Sequence, residues 1–437
     1  MNDKMSTFQI ITLGVAIFII VGSVAVFALQ RGQESQSKST VEIWGIIPSK
    51  IVNEWSKRIN EAERESVNFK YTEIEPDEFE KRWIDAMAAG TGPDIVIIPD
   101  DLTLKHQNKL FLIDYKFFTN KKYKDSFIES AEVLLRNNGI IGFPLTIDPL
   151  VMYWNRTILN NDGISSPPRF WDDLFSIIPR LVRRDTAANI SRPVIALGEY
   201  QNIDNAKEVL IAMIQQAGNN LITLDQTSNT FESVLDKHFN FSTRPADAAL
   251  SFFLQFSNPT RDVYTWNRSM PSSKQMFLSG DLVFYIGYAS ERDIILQKNP
   301  NLNFDVAVLP QSKAFGNNIE INKTLGQMNL IAISRNSSKI SSSFNNVLKL
   351  IEPQNIKILS ELTGLPTVRR DVVIPTENLS YAEVFNRSAL FSIPFLDPGV
   401  SETSNIFKSM IESVLVGNLD VNRSVQRAHQ EISNMLK

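Results

Sequence analysis

Hydrophobic positions change their spacing several times along this chain. From Phe8 to Leu29 they are nearly continuous: FQIITLGVAIFIIVGSVAVFAL runs for 22 residues without a charge. As a helix rising about 1.5 Å per residue, this stretch spans roughly 33 Å, enough for the hydrocarbon core of a bilayer. It reads as a transmembrane anchor. A cleaved secretory signal is the alternative, because Val26-Phe27-Ala28 places small residues at the two positions a signal peptidase needs. Lys4 and Arg31 flank the segment on opposite sides and orient it only weakly, so the downstream soluble chain sets the expected orientation, outside the membrane. Residues 30–40, QRGQESQSKST, carry no large apolar side chain and read as a flexible tether.

Beyond the tether the pattern alternates between strand and helix periods. Val41 to Trp44 has strand propensity and is followed by turn signals at Gly45 and Pro48. Ile51, Val52, Trp55 and Ile59 recur at helical spacing, and Val67 to Ile74 alternates again. Phe79, Trp83, Ile84 and Met87 mark a second helix that stops at Gly90. Asp94 to Ile98 is almost wholly apolar, as expected of a strand covered on both faces. Strand, helix, strand, helix, strand predicts a doubly wound sheet, whose ligands sit beyond the carboxyl ends of its strands. Helical patterns then dominate to about residue 305. Phe304–Leu309 and Leu330–Ser334 read as strands, and the last 70 residues as mostly helical.

Composition narrows the function. The 437 residues are 43% hydrophobic and 21% charged, and about 400 of them remain beyond the tether, roughly two domains of ordinary size. A formal net charge of −4 and no long basic run argue against nucleic-acid binding. No cysteine is present, which excludes disulfides, thiol nucleophiles and a lipidated N-terminal cysteine, so attachment to a membrane falls to the polypeptide itself. The three histidines, His106, His238 and His429, are far apart and show no metal-binding spacing; no phosphate loop or nucleophile elbow occurs. The carboxylate pair Asp172-Asp173 invites a glycosidase reading but falls in a helix-start motif. An enzyme is not expected.

Five motifs then line up in order: Gly92-Pro93-Asp94-Ile95-Val96; Gly142-Phe143-Pro144-Leu145 through Asp148 and Met152-Tyr153-Trp154-Asn155-Arg156 to Pro167-Pro168-Arg169 and Phe170-Trp171-Asp172-Asp173-Leu174; Met276-Phe277 with Gly280-Asp281 and Gly287; Thr363-Gly364-Leu365-Pro366-Thr367-Val368-Arg369-Arg370-Asp371; and Val414-Leu415-Val416-Gly417 before an amphipathic helix over 421–436. Together they resemble the family 1 extracellular solute-binding proteins of ABC importers, the maltose-binding-protein-like, sugar-binding type. Two departures stand out. Phe170 replaces the family's usual threonine before the tryptophan, and Gly287 is followed by Tyr288-Ala289-Ser290 without the tryptophan that many sugar binders place nearby.

The resemblance implies a two-lobed, type II periplasmic-binding-protein-like α/β fold. Chain crossings are expected near Thr146–Leu150, Asn322–Met328 and Gly364. One lobe would take residues 41–147 and 325–363, the other 148–324 and 364–437. It implies no cofactor, a monomer, a small solute (a sugar or oligosaccharide) held between the lobes, and ABC permease subunits as partners. A sensing subunit of a signalling complex, or a binder of a polyamine, metal ion or phosphate ester, remain as alternatives. Strand ends nominate Trp44, Gly45 and Ser49 after the first strand, Asp100 and Asp101 after the third, Asp148 at the crossing, Tyr153 and Trp154 opening the second lobe, and Tyr288 after Gly287 as ligand contacts. Each has a plainer reading. Trp44 could pack in the core, Asp100 or Asp101 could cap the helix near Leu102, and Asp148 could serve a turn before Pro149. Strand alternation allows at most one of Tyr153 and Trp154 into a cleft. Arg369, Arg370 and Asp371 read as a solvated, salt-bridged turn.

Overall fold

The computed structural model describes residues 40–62, 67–225, 228, 230–313, 322–372 and 380–437. The proposed anchor over 8–29 and most of the tether lie outside them. Among the described residues, no helix is long and apolar enough to cross a membrane.

The first predicted elements form where the periodicity places them: β1 (Val41–Gly45), α1 (Ser49–Ala62), β2 (Phe69–Glu73), α2 (Pro76–Ala88) and β3 (Ile95–Pro99). β1 lies between β2 and β3, parallel to both. Helix α1 buries Val52, Trp55 and Ile59, and α2 buries Phe79 and Trp83, against the sheet. Pro76 opens α2, where its missing N–H costs nothing.

The next long element departs from expectation. Asp148-Pro149, which could have served a turn, is extended instead: residues 143–155 form one 13-residue strand, β4 (Phe143–Asn155). Phe143 to Pro149 pairs with the returning strand β7 (Thr324–Ile333), while Leu150 to Asn155 lies between β5 (Phe284–Tyr288) and β6 (Phe304–Val308). The two halves of β4 thus serve different parts of one eight-stranded sheet, and at the switch the Pro149 carbonyl accepts from Ala289 N at 3.0 Å.

Two apolar cores lie on either side of this switch. The first holds Val41 to Ile147 and Met328 to Val368; the second holds Leu150 to Leu325 and Phe395 to Ile432. This is a two-lobed α/β fold whose sheet strands β4 and β7 pass from one core to the other. Leu325 belongs to the second core. The third crossing is not at Gly364, which ends the helix Pro353–Thr363 at φ +71°. The chain remains in the first lobe beyond it: Val368 is in the first core, Ile128 N donates to Val368 O at 3.0 Å, and Arg370 N donates to Ser126 O at 2.9 Å. The helix Ser380–Leu390 then straddles the boundary, with Phe385 in the second core and Ala389 in the first.

The Arg369–Asp371 turn is salt-bridged as expected, with Arg370 and Asp371 exposed, but Arg369 itself is drawn into the first lobe. Arg369 is buried, lies over the Phe127 ring, donates to Ile351 O at 2.6 Å and makes a bidentate pair with Asp371 at 2.8 and 2.7 Å. The missing threonine at Phe170 is also answered: Asp173 Oδ2 accepts from the Phe170 and Arg169 amides at 2.9 and 3.1 Å.

Candidate functional site

The carboxyl ends of β3 and β5 approach the lobe boundary from opposite sides, and a small cavity lies where they meet. β3 stops there because its partner β7 leaves the first lobe: Asn329 pairs with Pro99, and the next amide, Met328 N, donates to Asp100 Oδ1 at 3.1 Å. Asp100 and Asp101 line the cavity from the first lobe, Gly326 and Gln327 from the crossing strand, and Tyr288 from the end of β5. The helix α3 (Ala206–Gln216) contributes Lys207, Glu208 and Ile211, and the segment before α4 (Val400–Leu415) contributes Phe395 and Asp397. The cavity volume is about 50 Å³. A water needs roughly 10–15 Å³ by the same measure, so a few small groups fit and a hexose does not. Admitting one requires the lobes to separate.

The Lys207–Asp397 part of the second-lobe wall is saturated. Lys207 Nζ lies 2.6 Å from Asp397 Oδ2 and 2.7 Å from Thr403 Oγ1, with both ionic side chains almost wholly buried. Asp397 Oδ1 also accepts from Gly399 N at 2.9 Å. Each wall also holds one unsatisfied atom: among the described residues, Asp101 Oδ1 in the first lobe and Tyr288 Oη in the second are buried and have no hydrogen-bond partner. Burial, then the nearby Asp397 carboxylate, raises the Asp101 carboxyl to about 6. Burial, then Asp101, raises Asp100 well above the usual carboxylate range. Glu208 is raised by burial and held back in part by Lys207. Four carboxylates and one ammonium therefore face a single closed space.

Of the nine residues nominated from sequence, Asp100, Asp101 and Tyr288 come together in this cavity. Neither aspartate caps the helical turn at Leu102; no side-chain cap bond forms there. The other six stand elsewhere. Tyr153 is fully buried in the second core and is a positioning residue: its hydroxyl donates to Tyr288 O at 2.6 Å. Asp148 acts similarly through Ser290 N, which donates to its Oδ1 at 3.1 Å, and burial lifts its carboxyl to about 6. Trp154 packs against the second core with Arg156 over its ring, and Trp44 packs against the first core. Gly45 is needed for packing, since a Cβ there would lie 2.8 Å from Ile97 Cβ and 2.9 Å from Tyr71 Oη. Ser49 begins α1, and its amide donates to Glu73 at 2.7 Å. None of these six lines the cavity, because a strand's last residues reach the boundary only where the strand itself points at it.

Sequence reasoning missed Lys207, Glu208, Phe395 and Asp397. One signal was present: AKEVLIAMIQQ is a helix apolar on all sides yet charged at its start, and charges entering a buried helix are rarely ornamental. Nothing local marks Asp397. Among the described residues no group of three or more His, Cys, Asp or Glu is placed to hold a metal ion.

Residues 54–384 match the family model of the bacterial extracellular solute-binding proteins. No curated protein matches the sequence. Among solved structures the fold is similar to a cyclic alpha-maltosyl-1,6-maltose binding protein from Arthrobacter globiformis, with a TM-score of 0.72 and 16% identity over 91% of this chain and 99% of that one. It is also similar to an ABC substrate-binding protein from Listeria monocytogenes in complex with cycloalternan (TM-score 0.64, 14% identity, 90% and 98% covered). A third is the GacH receptor of Streptomyces glaucescens, solved unliganded and with acarbose (TM-score 0.66, 12% identity, 91% and 98% covered).

Proposed function

This chain belongs to the bacterial extracellular solute-binding proteins, and from that premise we propose that it captures a sugar or oligosaccharide between its lobes and delivers it to an ABC permease. The observation that carries the reading is the cavity at the lobe boundary, walled by both lobes and holding two buried, unpartnered polar atoms, Asp101 Oδ1 and Tyr288 Oη. Such atoms cost free energy unless a bound group completes them. Carboxylates can take hydroxyl pairs, and the Tyr288 and Phe395 rings offer apolar faces to sugar C–H surfaces. The named ligands of the similar structures, cycloalternan and acarbose among them, favour the same solute class.

Capture works through the hinge. The moving bodies are the two cores, and they turn about β4 near Ile147–Leu150 and β7 near Leu325–Met328. A solute touching both walls makes all its contacts only when they close, so its binding energy biases closure. The permease then reads closure. Phe8–Leu29 holds the protein to the membrane as a monomer with both lobes outside, in place of the lipid that a cysteine-free chain lacks. No bond-making step belongs to this scheme.

The test uses the full chain in detergent, with spin labels on α1 and α4, titrated with a panel of mono- and oligosaccharides. A saturable shortening of the interlobe distance by at least one sugar is expected. No change across the panel at millimolar concentration would remove the carbohydrate assignment.

A further inference from the structure

We propose that the captured solute carries a cationic amine, received by Asp101, Glu208 and Tyr288; this rests on the interlobe-capture reading above and sharpens it. The argument is a charge inventory of one cavity. Its lining includes four carboxylates, Asp100, Asp101, Glu208 and Asp397, and a single cation, Lys207. Lys207 is already committed to Asp397 and Thr403 at 2.6 and 2.7 Å. Asp100 takes the Met328 amide. That leaves Asp101 with a buried, unpartnered oxygen and Glu208 with no ion pair among the described residues.

The second observation is independent of the acidic cluster. Tyr288 lines the same cavity and is only 8% exposed, and its buried hydroxyl has no partner among the described residues. It is held there from behind: Tyr153 donates to its carbonyl at 2.6 Å, and its own amide donates to Glu291 at 3.0 Å. Tyr288 so held shares the lining of one small cavity with the Asp101 and Glu208 carboxylates. A neutral hydroxyl would fill hydrogen-bonding positions and leave the buried negative charge uncompensated. An ammonium supplies three donors and a positive charge together.

Size agrees. About 50 Å³ accommodates an ammonium group and its attached carbon, not a sugar ring. The charged group therefore enters deepest, and the polyhydroxylated body stays nearer the mouth and holds the lobes slightly apart. A chelated divalent metal is the poorer occupant, because no three of these carboxylates converge as ligands among the described residues.

The experiment is calorimetric titration of the full chain in detergent with D-glucosamine, D-glucose, N-acetyl-D-glucosamine and 1,4-diaminobutane. The first three differ only at one carbon. Glucosamine should bind at least tenfold more tightly than glucose or its N-acetyl derivative, and the advantage should shrink with added salt. Asp101→Asn and Glu208→Gln should each remove at least tenfold of glucosamine affinity while the melting temperature is kept or raised, since each removes a carboxylate whose charged form is disfavoured by desolvation. Equal binding of glucose and glucosamine would overturn the amine and leave sugar capture standing. Diaminobutane binding as tightly as glucosamine would keep the amine and overturn the sugar. Binding of none of the four would overturn both.

Discussion

The two walls of the cleft carry the same residue type to opposite ends. On the second-lobe wall, Asp397 is buried but fully provided for, with Lys207 at 2.6 Å, the Gly399 amide at 2.9 Å and the Thr403 hydroxyl beside it. On the first-lobe wall, half-buried Asp101 keeps one buried oxygen, Oδ1, with no hydrogen-bond partner among the described residues. A paired buried charge is held in one arrangement. An unpaired buried polar atom costs free energy unless something else completes it. A similar contrast separates Arg369, paired with Asp371 and bonded to Ile351 O, from Glu208, which has no ion pair among the described residues.

The contrast breaks most severely at Lys207. Lys207→Met leaves Asp397 as an uncompensated buried charge and should cost about 3–5 kcal/mol of stability, measured by denaturant unfolding. A loss under about 1 kcal/mol would show that the pair is solvated in solution.

Next in size is the pH response of the first-lobe wall. The Asp101 and Asp148 carboxyls are each raised to about 6, chiefly by burial. The folded state then holds protons more tightly than the unfolded chain. The resulting stabilisation is complete below the ordinary carboxylate pKa near 4 and is lost as pH rises through about 6. The unfolding free energy should therefore be greater at pH 5 than at pH 7 by an amount on the order of 1–3 kcal/mol, and the melting temperature higher. Asp101→Asn should flatten part of this dependence and raise stability at pH 7. A profile that is unchanged in the variant would place Asp101 in water.

Tyr153→Phe is a smaller perturbation that separates positioning from packing. Losing one buried hydroxyl contact should cost about 1 kcal/mol, yet it frees the Tyr288 loop, so solute affinity should fall by more than the stability change alone implies. Equal effects on both would make Tyr153 a core residue only. Smallest of all is Trp44→Phe. It lies outside the cavity and packs on the first core, so solute affinity should stay within about twofold.

The local elements of the first lobe were legible because each buries its own face. The strand Val41–Gly45, the helix with Val52, Trp55 and Ile59, and the apolar strand Ile95–Pro99 need no distant residue to explain their pattern. Strand β4 was legible in composition but not in extent. Asp148-Pro149 looks like a turn locally, and only pairing with β5 and β7 on successive stretches holds it extended. Three cleft residues were found because strand ends are where doubly wound sheets bind ligands. Tyr153 was nominated for its place at the opening of the second lobe, where strand alternation could not say which way it points; its hydroxyl bonds the backbone of Tyr288.

By itself, then, the sequence determined the alternation of strands and helices, the apolar segment Phe8–Leu29, the absence of thiol chemistry and a family likeness spread along the chain. Tertiary structure alone decided which charges share a space. Asp100 and Asp397 are nearly 300 positions apart, and no local spacing relates them. They meet because β4 and β7 carry the chain twice across one boundary, so the environment of a carboxylate, and with it the solute, is a property of where two lobes close.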